Sequence, residues 1–127
     1  MRLLRVPLLV AMLATAVAAC DRFAVESDRG ELLRGNWRST VDGLMVAFNE
    51  DGTYLVSPTD GRAPFAGRYT VEGVGIIIHN EADAETCAGV EGRYTVTVIG
   101  WTARFYLVDD SCAPRIEHMR APWRRAT

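Results

Sequence analysis

The chain has 127 residues, with 16 aspartates and glutamates against 14 basic residues, every one an arginine, for a net charge of −2. That length suits one domain with a modest core. The acidic balance excludes an overall basic character of the kind a nucleic-acid binder or a polybasic membrane protein uses, so no nucleic-acid partner is expected. The absence of lysine reads as the codon bias of a GC-rich genome.

The first five residues, Met1-Arg2-Leu3-Leu4-Arg5, are basic, and residues 6–19 form an uncharged apolar run. Basic start, apolar stretch and small residues at its end predict a secretory signal peptide over 1–19. The run has 14 residues, and a transmembrane helix needs about 20. At its end Val17-Ala18-Ala19-Cys20 resembles the lipobox of bacterial lipoproteins. That resemblance implies cleavage before Cys20, a thioether lipid on its sulfur and acylation of the new amino terminus. The chain would then be membrane-anchored through Cys20, in the cell membrane or the outer membrane, with its domain in the periplasm or at the cell exterior. Asp21 resembles the inner-membrane retention signal of enteric bacteria.

The 108 residues from Cys20 onward carry 12 arginines and 16 acids, a net −4. Residues 20–34 read as anchor and linker, ending in a helical turn near 31–34, and residues 35–127 as the domain. From Gly35 short alternating segments and turn residues recur. Strands are expected at 35–40, 44–49, 53–56, 67–72, 74–80, 91–99, 101–108 and 115–119, with 121–127 a tail. Glu50-Asp51-Gly52 is a hairpin turn, and residues 57–64 a breaker-rich loop carrying Arg62 near its tip and Phe65 just beyond. Eight short strands with hairpin-length links predict an all-β, antiparallel, up-and-down eight-stranded barrel, since closure removes the exposed edges. The inward set is Val46, Phe48, Tyr54, Val56, Tyr69, Val71, Ile76, Ile78, Tyr94, Val96, Val98, Phe105 and Leu107. Cys87 and Cys112, an even pair in an exported chain, read as a disulfide. Neither lies in a Cys-x-x-Cys, and no histidine stands at ligand spacing.

Gly35-Asn36-Trp37 matches the Gly-x-Trp signature of lipocalins and related calycin barrels. Phe48 to Tyr54 (Phe-x-x-Asp-Gly-Thr-Tyr), Gly67-Arg68-Tyr69, Gly92-Arg93-Tyr94, Asp110 to Arg115 and Pro122-Trp123-Arg124 are similar to small lipocalin-like domains of exported bacterial proteins. The resemblance spans residues 35–125. It implies a lipocalin-like barrel whose tryptophan, Trp37, closes one end beneath an arginine of the last strand, here Arg115, with Arg104 as the second choice. It also implies a small apolar or amphipathic ligand in the barrel, held by Tyr54, Tyr69, Tyr94 and Phe105. About 90 residues make a shorter barrel than a true lipocalin, with less interior.

Other constellations carry less. His79 and His118 could meet on barrel closure with Asp109 or Asp110, but spacing does not support a metal site. Glu81, Asp83 and Glu85 read as a solvated loop. No Gly-x-Ser-x-Gly, P-loop or His-Glu-x-x-His is present, and Ser39, Ser57 and Ser111 have no base beside them. The expectation is a monomeric, non-catalytic binding module without cofactor or metal. The alternative is a protein-interaction module, such as a lysozyme-type hydrolase inhibitor, with a filled barrel.

Overall fold

The computed structural model describes residues 28–81 and 86–126. The expected signal peptide over 1–19, Cys20, Asp21, Asp83 and Glu85 lie outside them. A short helix α1 (Asp28–Leu33) leads into β1 (Gly35–Ser39), β2 (Met45–Phe48), β3 (Thr53–Ser57), β4 (Phe65–Glu72), β5 (Gly75–Asn80), β6 (Glu91–Ile99) and β7 (Thr102–Asp109). Helix α2 (Ala113–Arg120) and β8 (Trp123–Arg125) follow. Each strand pairs antiparallel with the next, and β8 pairs with β1 to close the barrel in the order β1 to β8.

Alternation explains the strands. In β6, Gly92, Tyr94 and Val96 are buried while Glu91 and Arg93 face out. Gly52 (φ +83°) turns β2 into β3, and the Asp51 carboxylate accepts from the Thr53 N–H at 3.0 Å, which fixes the hairpin. The up-and-down path gives the barrel two ends. The lower end holds α1, the start of β1, the three tight turns β2–β3, β4–β5 and β6–β7, and the end of β8. The upper end holds the β1–β2 turn, the 58–64 loop, the β5–β6 connection and α2.

Three expectations are corrected. Residues 115–119 are not the last strand but part of α2. Pro114 in the first turn suits a helix start, and Ile116 and Met119 have helical i, i+3 spacing, with Met119 buried. The last strand is Trp123–Arg125, inside the segment expected to be a tail. Leu107 is 52% exposed rather than inward. Strand β8 is three residues long and covers only Thr102 and Ala103 of β7, so no strand flanks Leu107 on that side.

The other inward residues are buried or partly buried, and Leu33, Trp37, Leu44, Ala103, Met119 and Trp123 join them in one core. Leu33 is fully buried, so the last turn before β1 packs as part of the barrel rather than as spacer.

The two Gly-x-Tyr segments have a steric cause. A Cβ on Gly67 would strike the Tyr54 ring and the His79 carbonyl oxygen, the latter at 2.5 Å. On Gly92 it would lie 2.5 Å from Asp110 Oδ2 and 2.9 Å from the Arg115 guanidinium. Each glycine lets a polar or aromatic side chain cross the strand inside the barrel.

Candidate functional site

The lower end is sealed. Trp37 is 1% exposed and donates its Nε1–H to the Leu33 carbonyl at 2.7 Å. The guanidinium stacked on it is that of Arg125, 4.3 Å from the ring centroid. Arg125 also donates to the carbonyls of Arg34 (2.9 Å) and Leu32, tying α1 across the end of the barrel. Neither sequence candidate sits there. Arg115 lies on α2 at the upper end, and Arg104 is exposed on β7. The arginine does come from the last strand, which is β8. Arg125→Met should cost about 1–3 kcal/mol, from the stacking and two charged hydrogen bonds. Arg104→Met should leave chemical denaturation midpoints unchanged, and urea titration of both variants checks the contrast.

Above this seal lies an apolar cavity of about 100 Å³. Val46 and Phe48 of β2, Tyr54 and Val56 of β3, and Ile78 of β5 form one side. Phe105 of β7 and Trp123 of β8 form the other. Helix α2 roofs it with Pro114, Arg115, His118 and Met119, while Arg62 and Phe65 reach it from the 58–64 loop and the start of β4. Pro114 and Arg62 are exposed, which places the mouth between that loop and α2. Arg62 is held there by Asp60, Nε to Oδ2 2.7 Å. Trp123 Nε1 is the one buried side-chain polar atom without a hydrogen-bond partner among the described residues.

One corner of the cavity is polar and tightly knit. Arg115 donates to Asp110 through Nε (2.7 Å) and Nη2 (2.8 Å), and Nη2 also reaches the Val90 carbonyl at 2.9 Å. Its Nη1 donates to Asn80 Oδ1 at 3.3 Å, which also accepts the Tyr54 hydroxyl. Asn80 Nδ2 in turn holds the Thr86 carbonyl at 2.8 Å. Asp110 further accepts the Tyr94 hydroxyl and the Cys112 N–H (2.9 Å). The Asp110 and Arg115 side chains are 0% and 9% exposed.

Burial alone would raise the Asp110 carboxyl, but hydrogen bonds from Arg115, Tyr94 and the Cys112 amide hold it below the usual carboxylate range. Burial disfavours the charged Arg115, and its bonds and charge contact with Asp110 more than restore it. Burial drives the Tyr94 and Tyr54 hydroxyls far upward, Tyr94 further through its bond to Asp110. Both tyrosines are therefore neutral donors. Cys87 and Cys112 are disulfide-bonded, Cα atoms 5.7 Å apart, which pins the β5–β6 connection to the residue before α2.

Of the four residues expected to hold a ligand, Tyr54 and Phe105 line the cavity. Tyr69 and Tyr94 do not. Tyr69 packs edge-on against Phe48 at 5.0 Å and donates to the Asn49 carbonyl at the lower end. Tyr94 spends its hydroxyl on Asp110. His79 is exposed on β5, while His118 lies on α2 with Nδ1 3.4 Å from Asp42. Among the described residues no three potential ligands converge on a metal position. The sequence reading missed Asn80, Arg115 as a cavity residue, and the α2 roof. The i, i+3 pair after Pro114 was the available signal. Compared with family models, curated proteins and solved structures, the chain matches none, so its role has to be read from this geometry.

Proposed function

We propose that this chain is a lipid-anchored, non-catalytic binding module of the bacterial envelope, carrying a small apolar or amphipathic molecule beneath α2. The observation that carries the reading is the cavity, with apolar walls, a sealed floor, a mouth and one polar corner. Few precisely placed polar groups in an apolar concavity are what small-molecule sites use. Its size selects the cargo. A dry cavity of about 150 Å³ accommodates benzene, so the roughly 100 Å³ here takes a compact group or the end of a longer molecule.

The corner selects the head group. The charge of Arg115 is matched by Asp110, so a free carboxylate gains little there. Arg115 Nη1 makes only a long bond to Asn80 Oδ1, at 3.3 Å, and such a neutral polar corner suits a carbonyl, ether or hydroxyl oxygen. Anchoring through Cys20 would hold this carrier at the membrane, where such molecules collect.

Val56→Phe tests the site, because the larger ring fills the space. Binding of cyclopentanone, measured calorimetrically, should weaken by about ten-fold, equivalent to 1.4 kcal/mol. Stability should rise by about 1 kcal/mol, as cavity filling commonly does. Undiminished binding by a stably folded Val56→Phe variant would place the ligand elsewhere and defeat the proposal.

A further inference from the structure

The lower end of the barrel carries features that neither the core nor the cavity uses. The β6–β7 hairpin presents Ile99 (79% exposed) and Trp101 (65% exposed) on either side of Gly100. Pairing of β5 with β6 begins at Gly75↔Thr95, and β6 continues to Ile99, so this hairpin stands proud of the β4–β5 turn. Val74 on that turn and Leu32 on α1 are exposed at the same end. Single exposed apolar residues are ordinary; a tryptophan and an isoleucine at the tip of a projecting hairpin form a wedge.

Beside the wedge lies a cluster of like charge. Arg38 of β1 is the direct register partner of Arg124 of β8, and Arg124 is the partner of Thr102. Arg104 stands two residues along β7. All three are exposed and alternate with buried or half-buried neighbours, so they share the outer face. Among the described residues none of them makes an ion pair. Like charges directly opposite across strands are unfavourable and are relieved by an anionic partner. The exposed acids of this end, Glu31 on α1, Glu50 and Asp51 on the β2–β3 turn and Glu72 closing β4, stand on other elements, so the basic face is confined to β7, β8 and β1.

The tether leaves from the same end. Cys20 lies eight residues before Asp28, where α1 begins, and eight residues reach at most roughly 29 Å. A lipid on Cys20 would therefore keep α1, and the lower end with it, within that reach of the bilayer.

We propose that the barrel docks on the bilayer through the tip of the β6–β7 hairpin and the adjoining outer face of β7, β8 and β1, with Trp101 and Ile99 in the headgroup layer and Arg38, Arg104 and Arg124 against anionic lipid phosphates. The cavity mouth, at the upper end, stays clear of this contact. Tryptophan is the residue that prefers this interface, and clustered basic side chains strengthen attachment to anionic leaflets. The proposal rests on Cys20 being the anchor for its geometry, and on the wedge and arginines for its contacts.

The test uses the product of the whole chain, expressed with its leader in a bacterial host and reconstituted in phosphatidylethanolamine–phosphatidylglycerol vesicles with brominated acyl chains. Trp37 and Trp123 are buried, so Trp101 is the exposed fluorophore among three. Brominated lipid should quench about a third of the tryptophan emission, as an interfacial tryptophan requires. Trp101→Phe should abolish the quenching, and Arg38→Glu/Arg104→Glu/Arg124→Glu should at least halve it.

Emission untouched by brominated lipid in vesicle-bound protein would overturn the proposal. So would Trp101 shielded from both brominated lipid and aqueous acrylamide, which would mark a protein partner there. The mass of the amino-terminal peptide reports separately whether Cys20 is lipidated. If it is not, the same product added to preformed vesicles still decides: co-sedimentation with quenching supports docking, and its absence overturns it.

Discussion

Asp110→Asn should destabilise the barrel by about 3–5 kcal/mol, the usual cost of leaving a buried charge without its partner. For a domain of this size that lowers the melting temperature by at least about 12 °C. The reason is geometric. Asp110 takes two bonds from Arg115, one from Tyr94 and one from the Cys112 amide, and its side chain is wholly buried. An amide keeps the shape but leaves the Arg115 charge unmatched under α2.

The effect has a defined pH dependence. The folded-state pKa of Asp110 is depressed, so its contribution is fully present above the unfolded value of about 3.9 and is lost as pH falls through the folded value. The stability gap between wild type and Asp110→Asn should therefore be flat from pH 7 to about 5 and close in stronger acid. Tyr94 has the opposite sign. Its raised pKa contributes stability that is lost in alkali, above the ordinary tyrosine value of about 10. Denaturant titrations across pH check both. An Asp110→Asn variant as stable as wild type at pH 7 would mean that the pair contributes nothing net.

Removing the disulfide should be nearly as costly. Cys87 and Cys112 are separated by 25 residues, and a closed loop of that length restricts the unfolded chain by about 3.5 kcal/mol. The Cys87→Ala/Cys112→Ala variant should lose about that much. Reducing agent should do the same to the wild type and nothing to the variant. Cys87 adds a local contribution, because its φ of +52° is left-handed backbone that a residue with a side chain adopts at a cost. Cys87→Gly/Cys112→Ala should therefore be more stable than the double alanine variant. The bond also matters to the cavity, since Cys112 and Thr86 are both in its wall. Ligand binding should weaken in the reduced protein even where it remains folded.

The barrel was legible because its strands alternate. Tyr94 and Val96 in β6, or Val46 and Phe48 in β2, declare one face each, and glycines mark the turns. The segment after Cys112 was not legible for a physical reason. Arg115-Ile116-Glu117-His118-Met119 is short enough to satisfy either period, and the decisive feature is Pro114 together with the packing of Met119. Strand β8 is too short for its sequence to show an apolar–polar alternation. Trp123-Arg124-Arg125 is extended because β1 and β7 both offer an unpaired edge and only this segment remains to close them.

One error produced the other at the sealed end. The expected arginine of the last strand does cover Trp37, but the last strand, and with it the arginine, lies ten residues later, at Arg125. The tyrosines divide on a finer matter. Tyr54, Tyr69 and Tyr94 all point inward, and hydroxyl partners decide their roles. Asp110 captures Tyr94, the Asn49 carbonyl captures Tyr69, and Tyr54 is left on the cavity wall with Asn80. Nothing in local spacing encodes those partners, which lie 16, 20 and 26 residues away.

A cavity of this kind should carry a molecule in the cell. Native mass spectrometry of the protein, isolated gently from its own host, decides this. The expected result is a reproducible added mass that persists under gentle ionisation, departs on unfolding and is missing from Val56→Phe. A wild-type protein that is folded, disulfide-bonded and clean at its bare mass, and that gains no mass when offered cyclopentanone, would contradict it.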